Sequence, residues 1–248
     1  MTEIKKIEGI VISSTNYSES SKILNIFTKE LGIIGVISKG CRKVKSKLRT
    51  ISNNLTYGDF NLYYKEDGLS TLISCDTKVF FKNILTDITK IGFATYIVEL
   101  ATQTYKQNND SEIYDLLISS LNKIEEGLDP LIITDILELK YLDYLGIGVN
   151  LDSCNLCGST EDIVTFSCDA GGYVCRNCYT NELVVSSKSI KVLRMFYYVD
   201  IDRISKLDLA NQTVKEITAF LDDYYDKYSG LYLKSKKFLE QFDSNKKE

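Results

Sequence analysis

Four cysteines carry the most specific chemistry in the sequence. Cys154 and Cys157 form one C-x2-C pair, Cys175 and Cys178 a second, with seventeen residues between them. Two residues between cysteines let both sulfurs of a tight turn reach one ion at ~2.3 Å, and two such turns complete a tetrahedron. Gly158 follows the first pair, and Gly171-Gly172 permits a tight return before the second. Four thiolates close the shell to substrate and water, so the expected ion is a single structural Zn2+. A redox C-x-x-C pair, an iron–sulfur cluster or unligated core cysteines are the alternatives; two matched pairs favour zinc over each. Cys168 fits neither turn and reads as packing, as do Cys41 and Cys75.

The second constellation is cationic. Residues 38–50, SKGCRKVKSKLRT, hold Lys39, Arg42, Lys43, Lys45, Lys47 and Arg49 with no acidic residue among them, in a chain of net charge -4. Several cations on one flexible loop form an electrostatic footprint for a polyanion. Screening at physiological salt confines the sum to ~8 Å, so local charge outweighs the total. If all six neutralised phosphates of a single strand, log affinity would fall against log salt with a slope of about −4. A solvated surface loop is the bland alternative. Tyr63, beside Lys65 on the outward face of the alternating run DFNLYYK, and Tyr17 in the first turn are candidates for stacking a base. Core or rim packing is the commoner role of a strand tyrosine. Tyr197, Tyr198, Tyr224, Tyr225 and Tyr228, at helical spacing, read as core with hydroxyls at its edge, and Lys234, Lys236 and Lys237 as decoration of a terminal helix.

Composition narrows the function. The 248 residues contain no histidine, which removes the commonest general base and every Ser/His or Cys/His nucleophile pair. An enzyme is therefore disfavoured. The amino-terminal residues mix charges through their apolar positions, and no stretch approaches the ~18 apolar residues of a spanning helix, so a cytoplasmic protein without membrane association is expected. Thiols are kept reduced there, which favours metal ligation over disulfides.

The elements that must position these residues follow from periodicity. Runs at 7–14, 22–28, 32–39, 59–65 and 69–75 read as five short strands of a small closed barrel, an oligonucleotide-binding (OB) fold, with an SH3-like barrel as the competing topology. The basic run lies between the third and fourth. Residues 1–80 carry 12 Lys/Arg and 8 Asp/Glu, a balance of +4, against −8 for the remainder. From about residue 82 the period changes to three amphipathic helices: one through Phe93, Ile97, Leu100 and Ala101; one through Ile113, Leu116, Leu117, Leu121 and Ile124; and one opening at Asp129-Pro130 and ending near Gly146 or Gly148. Residues 151–181 form an irregular insert with few large apolar side chains, for which coordination would offset the ordering entropy. Helices resume at 187–199 and 212–228, and a last one covers SKKFLEQF. The organisation is thus α+β: an OB-fold barrel (1–80), a helical domain in two parts (81–150 and 182–242), a four-cysteine zinc finger inserted between them, and a frayed tail (243–248).

The order GIVI (9–12), YSESSKILNIFT (17–28), Gly32 and SKGCRK (38–43), then the four-cysteine insert and a closing LKSKKFLEQF, resembles the bacterial RecO family of DNA repair proteins, which are recombination mediators. In that family a proline commonly precedes the serine of the loop after Lys39-Gly40; here Val44 and Lys45 stand before Ser46. The resemblance implies a non-enzymatic protein of DNA damage repair and homologous recombination, whose barrel holds single-stranded DNA. It implies ATP-independent annealing of complementary strands, contact with double-stranded DNA, and nucleoid association. It also implies three partners: RecR, the C-terminal tail of single-stranded DNA-binding protein, held in a groove of the helical part, and, through them, RecA. A zinc-containing OB-fold module that binds RNA or a transcription complex is a second reading. A third is a metal-assisted nuclease using Asp59, Asp67 and Asp76, which are scattered over turns and strand ends with no shared spacing.

Overall fold

The structure is a computed structural model, and residues 3–239 of it are described. It divides into two compact units, one comprising the chain up to Asp87 with Asn109–Asp115, the other Ile88–Asn108 with the chain from Leu116 onward.

The first unit is a five-stranded closed barrel of order β1-β2-β3-β5-β4, with β1 at Glu3–Tyr17, β2 at Ser21–Thr28, β3 at Gly32–Ser38, β4 at Tyr57–Tyr64 and β5 at Ser70–Val79. The OB-type topology prevails over the SH3-like alternative: β3 and β5 pair in parallel while every other pair is antiparallel. Closure depends on the length of β1. Its first half pairs with β4 through Glu3↔Tyr64 to Ile10↔Tyr57, and its second half pairs with β2 through Gly9↔Thr28 to Tyr17↔Ser21. A bulge between Val11 and Ser13 bends the strand where it changes partner. Gly9 sits at that crossing because a Cβ there would meet Ile26 Cγ2 at 2.7 Å and Phe27 O at 2.8 Å. Alternation sends Ile7, Val11, Leu24, Ile26, Val36, Phe60, Leu62 and Leu72 into the barrel core. Cys75 packs half-buried against this core, and Cys41 is buried in the loop after β3.

A short helix α1 (Lys82–Leu85) ends the barrel segment, and α2 (Ile88–Gln107), α3 (Glu112–Glu125) and α4 (Pro130–Tyr144) follow at the expected places. Asp129 caps α4, its Oδ1 accepting from Leu131 N at 2.9 Å and Ile132 N at 3.4 Å, with Pro130 in the first turn. This helix departs from the amphipathic expectation: Ile132, Ile133, Asp135, Ile136, Leu137, Glu138, Leu139, Tyr141 and Leu142 are all buried, so it is covered on every side. It packs against α2, α5 (Ser187–Tyr198) and α6 (Asn211–Tyr224). The insert is not wholly irregular, since Ile163–Ser167 (β6) and Gly172–Cys175 (β7) form an antiparallel hairpin. Of the tyrosines assigned to the core, Tyr224 and Tyr225 are buried, whereas Tyr198 and Tyr228 are exposed; their neighbours Phe196, Phe220 and Leu221 fill the space instead. Lys236 is tied down by Asp222 at 3.1 Å and Asp226 at 2.8 Å, and Lys237 lies 5.9 Å from the Tyr232 ring centre. Residues 236–239 begin the expected last helix. Its remainder, and the 243–248 tail, lie outside the described residues. No helix among the described residues is long and apolar enough to cross a membrane.

Two carboxyl groups lie within this helical core. Asp135 accepts from Thr218 Oγ1 at 2.8 Å, and Glu138 accepts from the Tyr96 hydroxyl. Burial pushes Glu138 up to about 7, against the hydrogen bond from Tyr96, while burial and the charge of Glu138 raise Asp135 well above the usual carboxylate range. A carboxyl whose folded pKa exceeds its unfolded one binds its proton more tightly when folded, so stability is lost as the pH rises from the unfolded value to the folded one. The wild type is therefore expected to lose stability relative to Glu138→Gln between pH 4.5 and about 7, measured by urea melts at both ends of that range. An equal loss in both proteins would place the titration on another group.

Candidate nucleic-acid interface and metal centre

The segment between β3 and β4 is turned and anchored rather than flexible. Ser38 Oγ and Ser52 Oγ share a buried hydrogen bond of 2.8 Å, and Ser52 Oγ donates to Leu48 O at 2.7 Å. A 3-10 turn covers Thr50–Ser52, and Leu48 and Ile51 pack against the barrel core. At the other end, Gly40 N donates to Ser21 Oγ at 3.2 Å and Arg42 N to Ser20 O at 2.9 Å. Ser38, Cys41, Leu48, Ile51 and Ser52 thus form the anchor, and the cations project outward together with Val44, which is 84% exposed. Lys39, Arg42, Lys43, Lys45, Lys47 and Arg49 are all exposed, and none forms an ion pair among the described residues. Arg42 Nη1 donates to Ser18 O at 3.2 Å, which leaves its charge uncompensated.

That contact ties the loop to the β1–β2 turn. Tyr17, 49% exposed, immediately precedes the turn. Tyr63, 48% exposed, lies on the outer barrel wall in a cross-strand row that runs Ile4, Tyr63, Thr71, Ile37, Ile23 and Thr15. Ile37 is two residues before Lys39, so Tyr63 reaches the loop only through β5 and β3. The structure therefore places Tyr17 beside the cations and Tyr63 two strands away. Lys22 belongs with the cluster and was missed from sequence. Its Nζ donates to Ser52 O and Asn53 Oδ1, both at 3.3 Å. Its cross-strand partner is Ser38, a pairing that strand alternation alone does not reveal.

The three aspartates are arranged otherwise than the sequence suggests. Asp59 and Asp76 are register partners, and Glu8 extends the row. Lysines occupy the space between: Lys6 Nζ lies 3.3 Å from Asp59 and 3.4 Å from Asp76, and Lys78 bridges Asp59, at 3.2 Å, to Glu8. These ammonium groups stand where a catalytic cation would have to sit. Asp67 remains apart in the β4–β5 turn.

The cysteines converge. Sγ atoms of Cys154, Cys157, Cys175 and Cys178 all lie within 4.8 Å of one another, with Cys157 and Cys175 at 3.6 Å. A tetrahedron with ligands at ~2.3 Å puts sulfurs ~3.8 Å apart, so the four fit one metal ion. Each pair sits on the same kind of turn: Gly158 N donates to Cys154 O at 2.8 Å, and Tyr179 N to Cys175 O at 2.9 Å. Gly172 brings the second turn home. Its φ is +147°, and a Cβ would lie 2.2 Å from Asn150 O. Burial opposes ionisation of Cys154, but N–H groups of Cys175, Leu156 and Cys157 outweigh it and lower the thiol to about 6. Cys178, hydrogen-bonded to Cys157 and partly desolvated, is pushed up to about 12. Metal ligation takes the thiolate form, so binding an ion here would expel the protons still held by the four sulfurs.

The insert is less dependent on coordination than its composition implies. Phe166 packs edge-on against Phe220 at 5.0 Å, and Tyr173 and Val174 are buried. Cys168 is buried too, its Sγ 3.5 Å from Phe220 O, and burial pushes it up to about 12. The hairpin thus rests on α6, and only the two cysteine turns would remain for a bound ion to order.

Residues 1–81 match a family model described as Recombination protein O N terminal, and residues 85–237 one described as Recombination protein O C terminal. The chain is 39% identical over 246 residues to the DNA repair protein RecO of Bacillus pumilus (strain SAFR-032), covering 98% of this chain and 96% of that protein. It is 37% identical over 244 residues to the DNA repair protein RecO of Listeria monocytogenes serotype 4b (strain CLIP80459), covering 97% and 95%. Against that of Bacillus velezensis (strain DSM 23117 / BGSC 10A6 / LMG 26770 / FZB42) the identity is 35% over 247 residues, covering 98% and 96%.

Elemental analysis is expected to find about one metal ion per chain, all of it lost in Cys175→Ser. The variant should melt earlier than the wild type, and chelator treatment should bring the wild type down to it. Undiminished metal in the variant would mean that the four sulfurs share no ion.

Proposed function

The chain belongs to the recombination protein O (RecO) family, and we propose that it serves DNA repair by binding single-stranded DNA on the barrel and annealing complementary strands without ATP. The observation that carries this is the anchored loop of six exposed cations beside Tyr17, none of them in an ion pair among the described residues. Phosphate capture by Lys39, Arg42, Lys43, Lys45, Lys47 and Arg49 supplies affinity, and release of condensed counterions drives it. Tyr17 stacks a base at the loop, and Tyr63 holds one further along the wall. No covalent step is needed, which suits a chain without histidine.

The cysteine cluster holds zinc in this reading. Its role is structural, because four thiolates leave no open position. Family membership supports the remaining partners: RecR, the acidic tail of single-stranded DNA-binding protein, and RecA, which the chain helps load on coated strands in the nucleoid.

The test is annealing of complementary oligonucleotides, bare and coated with single-stranded DNA-binding protein, by wild type and by Arg42→Glu/Lys43→Glu/Lys45→Glu. These side chains lie outside the loop's apolar anchor, so the variant should fold. Annealing is expected to fall at least about tenfold, and the salt slope of binding to shrink by about 2, at roughly 0.7 per lost contact. Unchanged annealing would move the site elsewhere on the molecule.

A further inference from the structure

The chain has two long windows free of acidic residues. One, residues 31–58, contains the barrel loop; the other, residues 183–199, lies in the part of the chain after residue 80, whose balance is −8. Helix α5 occupies this second window. Ser189, Val192, Leu193 and Phe196 form its buried face. Its opposite face presents Lys188, Lys191, Arg194, Met195 and Tyr198, with Met195 43% and Tyr198 55% exposed. Lys188 and Lys191 form no ion pair among the described residues.

Arg194 is differently placed. Asp152 Oδ1 accepts from its Nε at 3.1 Å and Nη2 at 2.8 Å, and Asp152 Oδ2 accepts from the Tyr198 hydroxyl at 2.8 Å. The carboxylate neutralises one charge, and in doing so it clamps the guanidinium 4.9 Å from the centre of the Tyr198 ring. The product is a guanidinium held over one face of a tyrosine ring that Tyr197 meets edge-on at 5.0 Å, with the two lysine ammonium groups along the same helix, spread over ~15 Å at 1.5 Å per residue. The other carboxylates nearest the helix are engaged: Asp143 accepts from Tyr197, and Glu216 from Ser186 N and Gln212. Insert and helix are coupled, because the Tyr173 hydroxyl donates to Ile190 O.

We propose that this face of α5 holds a second DNA single strand, so that one chain carries both strands to be annealed. Ammonium groups match phosphates, and the Arg194–Tyr198 pair offers planar groups on which a base can stack. The need for a second patch is electrostatic: a strand bound at the barrel loop neutralises the charge that drew it and leaves little attraction for the next. The proposal rests on the barrel loop being the first strand's site.

Two short, non-complementary oligothymidylates, one carrying a donor dye and one an acceptor, test it with the full chain. Wild type is expected to bring the dyes together, with two oligonucleotides on one chain by native mass spectrometry. Lys188→Glu/Lys191→Glu should keep the affinity for the first strand while energy transfer and annealing fall about tenfold. The salt slope of second-strand binding should drop by about 1.4, two contacts at roughly 0.7 each. Tyr198→Ala should weaken the second strand about fivefold or more, as loss of ~1 to 3 kcal/mol of stacking requires, and leave an abasic oligonucleotide unaffected. Equal loss of first-strand affinity in the lysine variant would reveal one continuous site and overturn the proposal. So would two strands found only on two chains, or abasic and normal second strands bound alike. Failure of the first-site reading looks different: the barrel-loop triple variant would bind its first strand normally.

Discussion

Six like charges confined to one loop repel one another, and the barrel must hold them together without neutralising them. At ~10 Å in water each pair costs about 0.4 kcal/mol before screening, so the cluster as a whole opposes the compact loop. Acidic neighbours would relieve that repulsion and at the same time abolish the attraction for a polyanion. The chain uses neutral anchors instead. The buried Ser38–Ser52 hydrogen bond, the Leu48 and Ile51 side chains and the buried Cys41 fix the loop from beneath, while the charged groups stay in water. On the proposed reading, the repulsion left in the free protein would be relieved as phosphates bind, which would add to affinity.

The same separation of structure from charge recurs in the helical unit. Core formation there is assigned to α4, which is buried on all sides and carries two carboxyl groups that burial keeps protonated more readily than usual. The outer helices bear the charge. Lys236, with Asp222 and Asp226, spends its charge on attaching the last described segment, whereas Lys188 and Lys191 remain available. Adjacent cations on this chain are thus of two kinds, and only their partners distinguish them.

The insert divides its stability between two sources. Its hairpin is held by aromatic packing on α6, and its cysteine turns converge on a volume of the size one ion fills. Four sulfurs brought together without a cation gain little beyond weak hydrogen bonds, so a bound ion would add most at these two turns.

Local signals determined much of this protein. Five strands, the Asp129-Pro130 helix start, the later helices and the C-x2-C pairs were legible because alternation, capping and ligand spacing act over a few residues. The family was legible for another reason, the order of short motifs along the chain. Tertiary structure alone decided the rest. The registers of the antiparallel β2–β3, β4–β5 and β1–β4 pairs placed Lys22 beside Ser38 at the start of the basic loop and Asp59 opposite Asp76, and put Lys6 and Lys78 between the carboxylates. It also buried α4 on every side, exposed Tyr198, and rested the hairpin on α6. The reason is physical: spacing along a chain specifies which residues share a face, but burial and charge compensation depend on what another segment, distant in sequence, lays against that face.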